Sequence, residues 1–317
     1  MRLTRCLHLR NSPATGQLIN QFVPRDVPDV KPRATNWFPG HMSSGLKRMQ
    51  MMTRVADCII ELHDARIPYT SRNRFANQSY AGRPRILILT KADLVKREEI
   101  DMICKQISVR DSIPVYSTAN TVKQKQFLRG LIRDGVGMAN ADQLTIAKPH
   151  YTFFVSGIPN VGKSSFINLF KKDIDDNKNK LRVAPEPGVT KKISNRLKIL
   201  HSPSVYIYDT PGVNLPVFDS PETILKLAAC GCVPSSVTGH VQAADYLLFW
   251  LNRKQQYKYA FLSGLAAPSN NIVEVLAYYA RRKNLMRDGK PLIKEAAQHF
   301  LIRFNRGEFG KIILEDF

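Results

Sequence analysis

Residues 151–164, which read YTFFVSGIPNVGKS, decide the fold. The apolar run from Tyr151 to Val155 predicts a buried strand, and Gly157 to Ser164 matches the pattern G-x-x-x-x-G-K-[ST] of a phosphate-binding loop. Backbone N–H groups of such a loop wrap a phosphate at the start of a helix, which we expect near Lys163. Lys163 then lies near the β- and γ-phosphates, and the Ser164 hydroxyl is a ligand for Mg²⁺. The alternative is a chance glycine-rich turn.

Short apolar runs alternate with helical patterns on both sides of this loop. Strands are predicted at 58–62, 85–89, 114–116, 151–155, 196–200 and 205–208. Residues 96–109 and 123–133 carry apolar side chains at helical spacing, as crossover helices do. The alternation predicts an α/β fold with a mostly parallel sheet, and right-handed crossovers place its loops at one edge.

Two segments after the loop are typical of a metal-binding and switch region. Asp209-Thr-Pro-Gly212 follows the predicted strand 205–208, so the Asp209 carboxylate is expected near Mg²⁺ and the Gly212 N–H near the γ-phosphate. Between the two motifs, Pro187-Gly-Val-Thr190 offers the Thr190 hydroxyl as a second candidate ligand for Mg²⁺.

The segment Thr90-Lys-Ala-Asp93 indicates which base is read, because a carboxylate can accept hydrogen bonds from both N1–H and the 2-amino group of guanine. Adenine has no such pair of donors. The alternative is that Asp93 caps a helix. A second candidate loop, Ser117-Thr-Ala-Asn120, comes next in the chain and favours the guanine interpretation.

Composition bounds the class of protein. The chain has 317 residues with 44% apolar content, enough for a full core and two domains. The 47 Lys and Arg against 26 Asp and Glu give a net charge of +21, which indicates a polyanionic partner. Nucleic acid is the leading candidate, with an anionic membrane surface or a cationic import signal as alternatives.

The amino-terminal residues have the composition of a mitochondrial transit peptide. Arg2, Arg5, Arg10 and Arg25 occur there, and the first acidic residue is Asp26. A basic RNA-binding tail is the alternative. Five cysteines without paired zinc spacing favour reduced thiols, and no apolar run reaches the length of a membrane span.

After residue 214 the pattern becomes helical. Helices are predicted at 224–229, 243–251, 272–279 and 293–304, with no clear strand among them. Prolines between these segments suit helix boundaries. We therefore expect three parts: a transit segment at 1–26, the nucleotide-binding domain at 27–213 and a small α-helical domain at 214–317.

The order of the motifs resembles that of circularly permuted GTPases, in which the guanine-reading motif precedes the phosphate-binding loop. Trp37-Phe-Pro-Gly-His41-Met42 and Asp64-Ala-Arg-Ile-Pro68 resemble hallmarks of the YlqF/RbgA group of ribosome-assembly GTPases. The likeness covers residues 36–213 and, more weakly, Phe300 to Gly307, which is similar to part of the family's C-terminal helical domain. Within the group, the chain resembles the mitochondrial members.

The resemblance implies a full set of site residues. Contacts with GTP or GDP are expected from Thr90, Lys91, Ala92, Asp93, Ser117, Thr118, Asn160, Val161, Gly162, Lys163, Ser164, Ser165 and Gly212. Mg²⁺ is expected at Ser164, Thr190 and Asp209, and Asn160 resembles the asparagine that binds K⁺ in potassium-stimulated GTPases. Thr90 stands where Asn is commoner, so we expect weaker contacts between this loop, the phosphate-binding loop and the base.

Hydrolysis needs a group that holds the attacking water. Many GTPases use a Gln after D-x-x-G, but that place holds Val213, which has no hydrogen-bonding side chain. His41 in the family's amino-terminal motif is the candidate, since an imidazole can accept a hydrogen bond from water, and Lys163 is the second catalytic candidate. The alternative is that His41 caps a helix starting near Ser43.

The function implied by the resemblance is a GTPase of mitochondrial large ribosomal subunit assembly and translation regulation. It contacts rRNA and ribosomal proteins when bound to GTP and leaves on hydrolysis. A non-catalytic adaptor at the matrix side of the inner membrane and an ATP-dependent P-loop enzyme are the alternatives. Candidate rRNA contacts are Lys171, Lys172, Lys178, Lys180, Arg253, Lys254, Arg281, Arg282 and Lys283, of which the last five are favoured.

Overall fold

The computed structural model describes residues 22–29, 50–72, 80, 82–118, 124–141, 148–176, 196–209, 220–234 and 237–317. The chain divides into two compact units. One, the α/β unit, is Asn36–Phe218, and the other, the helical unit, combines Met1–Thr35 with Asp219–Phe317. Sequence reasoning placed these divisions after residues 26 and 213.

Six strands build the sheet of the α/β unit. They are β1 (Cys58–Asp64), β2 (Arg85–Thr90), β3 (Val115–Ser117), β4 (His150–Ser156), β5 (Arg196–His201) and β6 (Ser204–Asp209). The sheet order is β3-β2-β1-β4-β6-β5, and every neighbouring pair is parallel except β5 with β6. The predicted mostly parallel sheet is confirmed. All seven residues of β1 are buried, as expected for a central strand covered on both faces.

Three helices connect these strands: α1 (Arg97–Asp111), α2 (Gln124–Asn140) and α3 (Lys163–Asp176). In α1, Ile100, Ile103 and Ile107 are buried at helical spacing. A Cβ atom built on Gly135 of α2 would lie 2.6 Å from the ring of Phe153 in β4. The glycine therefore lets α2 pack closely on the sheet.

The helical unit contains five helices among its described residues. They are α4 (Pro221–Ala229), α5 (His240–Arg253), α6 (Lys258–Ser263), α7 (Ile272–Arg282) and α8 (Ile293–Asn305). Ser220 caps α4 by accepting a hydrogen bond from the Thr223 N–H, and Pro221 occupies the first turn. The buried ring of Phe300 contacts Tyr259, Tyr279 and Phe309, with ring centroids 4.5–6.4 Å apart. Aromatic packing thus forms the centre of this unit.

The prediction of no strand after residue 214 was wrong. Two short strands, β7 (Met286–Arg287) and β8 (Lys290–Pro291), pair antiparallel. The turn between them places Asp288 and Gly289 at φ 49° and 69°, the left-handed backbone that a two-residue hairpin turn requires. Asp-Gly was a hairpin signal, but each strand is too short to show a period-two pattern.

Residues 22–29 form a strap on the helical unit. The Arg25 guanidinium donates to both carboxylate oxygens of Asp245 in α5, at 3.1 and 3.0 Å. The Asn270 side chain donates to the Val23 carbonyl at 2.8 Å, and Phe22 packs edge-on against Tyr257. Residues 22–26 fall within the segment predicted for transit, and the strap makes them part of the folded unit.

None of the helices in the described parts of the chain is long and apolar enough to cross a membrane. The four cysteines in the described ranges, Cys58, Cys104, Cys230 and Cys232, are free thiols. Cys230 and Cys232 are each 1% exposed. Both therefore act as small core residues.

Candidate nucleotide-binding site

Five parallel strands end at the same edge of the sheet, and the predicted site segments follow their carboxyl ends. Thr90 ends β2, Ser117 ends β3, the loop from Gly157 follows β4, and Asp209 ends β6. Strand β1 lies between β2 and β4, and the chain order reverses there. Ligands of open α/β sheets bind at such a reversal, so the structure brings the base-reading and phosphate-binding segments to one place.

The phosphate-binding loop has the backbone that its sequence requires. Gly157 and Gly162 lie at φ 151° and 107°, where a side chain is strained. A Cβ on Gly157 would lie 2.7 Å from the Leu62 carbonyl oxygen of β1, so the loop passes close against the neighbouring strand. Asn160 has left-handed backbone, φ 56°, and lies exposed at the tip of the loop.

Lys163 begins α3, and its ammonium is folded back over the loop. Nζ donates to the carbonyl oxygens of Gly157 at 3.0 Å and Ile158 at 2.9 Å. The residue is 9% exposed. Its charge is thus held inside the curve of the loop, where a bound phosphate would lie.

Thr90 ties the segment predicted to read guanine, residues 90–93, to the phosphate-binding loop. Its hydroxyl Oγ1 lies 2.6 Å from the Val161 carbonyl oxygen and 2.9 Å from the His63 carbonyl oxygen. A hydroxyl has one hydrogen to donate, and the shorter contact is with the loop. The hydroxyl thus reaches the loop backbone directly, and the expectation that Thr in place of Asn weakens this tie stays a prediction.

Asp93 does not cap a helix. It lies in a single 3-10 turn, Ala92–Leu94, and the residues that cap this turn and α1, Lys91 and Lys96, make no side-chain capping bond. The Asp93 carboxylate is exposed, and within the described ranges it has no hydrogen-bond partner. The capping alternative is thereby removed, and the carboxylate is available to accept from a ligand.

Ser117 and Thr118 lie beside this segment. Ser117 pairs with Leu89 in the sheet, and the Thr118 N–H donates to the Leu89 carbonyl at 2.8 Å. Both are half-buried. The second loop therefore starts next to the guanine-reading segment, where a base bound by Asp93 would need a neighbour.

Sequence reasoning missed the role of Asp64, which ends β1. Its fully buried carboxylate accepts from the Arg66 backbone N–H, from two guanidinium nitrogens of Arg66, and from Lys91 Nζ at 2.8 Å. Burial alone would raise the pKa of this carboxyl, but the charges of Arg66 and Lys91 outweigh it and hold the pKa well below its usual range. The sequence signal was its place at the start of the motif Asp64-Ala-Arg-Ile-Pro68, which does not reveal Lys91 as its partner.

A second buried pair, His63 with Glu61, supports the loop that follows β1. The His63 ring contacts the Pro68 carbonyl oxygen through Nδ1 at 2.9 Å and the Glu61 carboxylate through Nε2 at 3.0 Å. Burial opposes ionisation of Glu61, yet its hydrogen bond and electrostatic interaction with the His63 ring lower the pKa of this carboxyl. The loop after β1 is therefore anchored from within the sheet.

Ser164 and Ser165 are exposed in the first turn of α3, and β6 ends next to β4. The Ser164 hydroxyl therefore lies at the start of a helix, beside a strand that ends in Asp209. Mg²⁺ prefers oxygen ligands of this kind. The side chain of Asp209 lies outside the described residues. So do His41, Asn120, Thr190, Gly212 and Val213, whose predicted roles stay predictions.

The fold and the site together define a P-loop GTPase of permuted motif order. Residues 152–278 match the model of the "50S ribosome-binding GTPase" family, and this match begins at the strand before the phosphate-binding loop. The segment predicted to read guanine, residues 90–93, lies before the matched residues. A guanine motif that precedes the phosphate-binding loop is the order of a circularly permuted GTPase.

Named relatives match over most of the chain. "Mitochondrial GTPase 1" of Aedes aegypti is 34% identical, over 91% of this chain and 96% of the relative. "Mitochondrial ribosome-associated GTPase 1" is 36% identical in Ictalurus punctatus (89% of this chain, 93% of the relative) and 35% in Mus musculus (88% and 89%). The chain belongs to this family of mitochondrial GTPases, and it is a GTP hydrolase.

A solved structure shows the same fold. GNP-bound YlqF from T. maritima superposes with a TM-score of 0.59 and 20% identity, covering 85% of this chain and 96% of that protein. The expected permuted GTPase domain with a helical C-terminal region is confirmed.

Proposed function

We propose that this GTPase binds the mitochondrial large ribosomal subunit in its GTP-bound state, acts in assembly of that subunit and in regulation of mitochondrial translation, and leaves after hydrolysis. The relatives named ribosome-associated support this proposal. The observation that carries it is the net charge of +21 on a chain that also has a guanine-nucleotide site, because rRNA is a polyanion.

One basic segment of the helical unit supports a proposed contact with rRNA. Residues 281–295 contain six exposed cations and two exposed acids, Asp288 and Glu295. The guanidinium of Arg281 lies 5.8 Å from the exposed ring of Tyr278, and that of Arg282 lies 5.5 Å from the exposed ring of Phe261. Cations interleaved with exposed aromatic rings suit phosphates and unstacked bases. We call this the α7 surface.

Some of the cations predicted to contact rRNA already have partners. Arg253 and Lys254 both pair with Asp316, at 2.7 and 2.9 Å. The Arg282 guanidinium donates to the Phe261 carbonyl at 2.7 Å, which fixes it in place. The side chains of Lys171, Lys172, Lys178 and Lys180 lie outside the described residues. Arg281 and Lys283 are therefore the residues to change.

Ribosome association tests this proposal. In gradients of organelle lysate, the wild-type chain should move with the large subunit in a non-hydrolysable GTP analogue and leave that fraction in GDP. Arg281→Glu/Lys283→Glu should lose about tenfold or more in ribosome affinity, because two phosphate contacts become repulsions. Arg97→Glu/Lys105→Glu makes the same charge change on exposed residues of α1 and should bind like the wild type. Equal sedimentation in GTP analogue and GDP contradicts the proposal.

Hydrolysis is proposed to use His41 as the water-positioning residue and Asn160 as a K⁺ ligand, with Lys163 stabilising charge on the phosphates. GTPases of this family use Mg²⁺, for which Ser164, Thr190 and Asp209 are the proposed ligands. His41→Ala should slow turnover about 100-fold with GTP affinity unchanged, since only the water is affected. The control is His299→Ala, which removes an exposed imidazole of the helical unit.

Turnover of both variants is measured in K⁺ and in Na⁺ buffers. Equal rates for His41→Ala and wild type count against His41, and equal rates in the two salts count against K⁺ at Asn160. The proposed location is the matrix, with peripheral contact at the inner membrane. Fractionation with salt and carbonate washes of the membrane tests that contact.

A further inference from the structure

We propose that Asp64 is a positioning residue for guanine recognition: its buried carboxylate holds Lys91, and so fixes the turn from which Asp93 faces the base. This inference rests on the base-reading role proposed for Asp93. It concerns a residue that touches neither nucleotide nor metal and acts through its neighbour.

The turn that Asp64 holds is a strained one. Lys91 has left-handed backbone, φ 54°, which residues with a side chain seldom adopt. The 3-10 turn after it is closed by the Leu94 N–H on the Lys91 carbonyl at 3.0 Å. The direction in which Asp93 points therefore depends on whether Lys91 keeps this backbone. The ion pair from Lys91 Nζ to Asp64 Oδ2, at 2.8 Å, holds it there.

Asp64 is itself held rigidly. Strand β1 pairs Asp64 with Thr90 in register, and the Ala65 N–H donates to the Thr90 carbonyl at 2.9 Å. The Asp64 backbone N–H donates to the Ser71 hydroxyl at 3.1 Å. Arg66, 1% exposed, makes three of the four hydrogen bonds that the described residues give to the carboxylate. Asp64 is thus a fixed anchor, and Lys91, whose side chain is 27% exposed, is the part that it positions.

The same strand supplies a matched control at its opposite end. Asp57, which directly precedes β1, pairs with Lys148 at 2.7 Å and accepts from the Thr152 N–H at 2.8 Å. It is also a carboxylate paired with a lysine, but it lies at the amino end of the parallel strands, away from the nucleotide edge. A purely structural role predicts that neither pair affects the preference for guanine.

The test uses displacement of a fluorescent GDP by unlabelled GDP and IDP, with the full chain. Hypoxanthine lacks the 2-amino group, so the ratio of the IDP to the GDP dissociation constant reports how well Asp93 is placed. Asp64→Asn and Lys91→Met should each weaken GDP binding about tenfold and bring this ratio toward one, because a misplaced acceptor loses the second bond. Asp64→Asn/Lys91→Met should be no worse than either single variant.

Asp57→Asn and Lys148→Met should keep the wild-type ratio, whatever their melting temperature. An unchanged ratio in Asp64→Asn, or losses that add fully in the double variant, overturns the proposal. If Asp64→Asn fails to fold, the IDP to GDP ratio of Lys91→Met decides. Loss of a direct contact between Lys91 and the nucleotide would weaken both ligands alike, so the ratio changes only if Asp93 is displaced. Ribosome binding enters none of these measurements, so failure of the assembly role cannot produce either result.

Discussion

Asp93→Asn is expected to lower the affinity for GDP about 100-fold, because two hydrogen bonds to a charged acceptor are lost or reversed. The carboxylate can accept from both N1–H and the 2-amino group of guanine. An amide accepts through one oxygen and turns its NH₂ toward the base. Xanthine carries a carbonyl where guanine carries the amino group, so xanthosine diphosphate should bind the variant better than it binds the wild type. Calorimetric titration with both nucleotides measures the exchange of preference.

Asp101→Asn is the matched control for this change. Asp101 lies on α1, the helix after the guanine-reading turn, and its side chain is 64% exposed. The same carboxylate-to-amide change there removes only a surface pair with Arg97, so both affinities should stay within about twofold. An Asp93→Asn chain that keeps its preference for GDP would show that another residue reads the base.

Gly157→Ala is expected to destabilise the α/β unit by roughly 2–4 kcal/mol and to weaken nucleotide binding with it. The new Cβ would lie 2.7 Å from the Leu62 carbonyl oxygen and 2.9 Å from the Val161 side chain. Neither the β1 backbone nor the fully buried Val161 can move without shifting the loop. Urea unfolding with GDP titration at a fixed temperature measures both effects.

Gly137→Ala adds the same methyl group without a collision. Gly137 is exposed on α2, and a Cβ there meets nothing within 4 Å. Alanine in a helix is favoured over glycine, so this variant should be unchanged or stabilised by up to about 1 kcal/mol. Wild-type stability and GDP affinity in Gly157→Ala would mean that the loop is looser against β1 than the structure has it.

The strands and the phosphate-binding loop could be predicted because their signals are local. Apolar runs marked all six strands of the sheet, and the glycines marked the loop. Asp64 could not be assigned, because its partner Lys91 is close only through the pairing of β1 with β2. Thr90 illustrates the same limit. From the sequence, Thr90 can only be compared with the commoner Asn by residue type. Its contact with Val161 depends on the fold, because the phosphate-binding loop comes much later in the chain.

The strap of residues 22–29 has a consequence for the order of folding. Arg25 and Asp245 are 220 residues apart, and the entire α/β unit lies between them. Because synthesis starts at the amino end, residues 36–218 are made before Asp245. Bringing Arg25 to Asp245 costs more conformational entropy than the contacts between neighbouring helices, which are closer in sequence. We therefore expect the strap, the first of the described segments to be synthesised, to dock after the helices that it contacts. A fragment of residues 220–317 alone lacks part of its own fold.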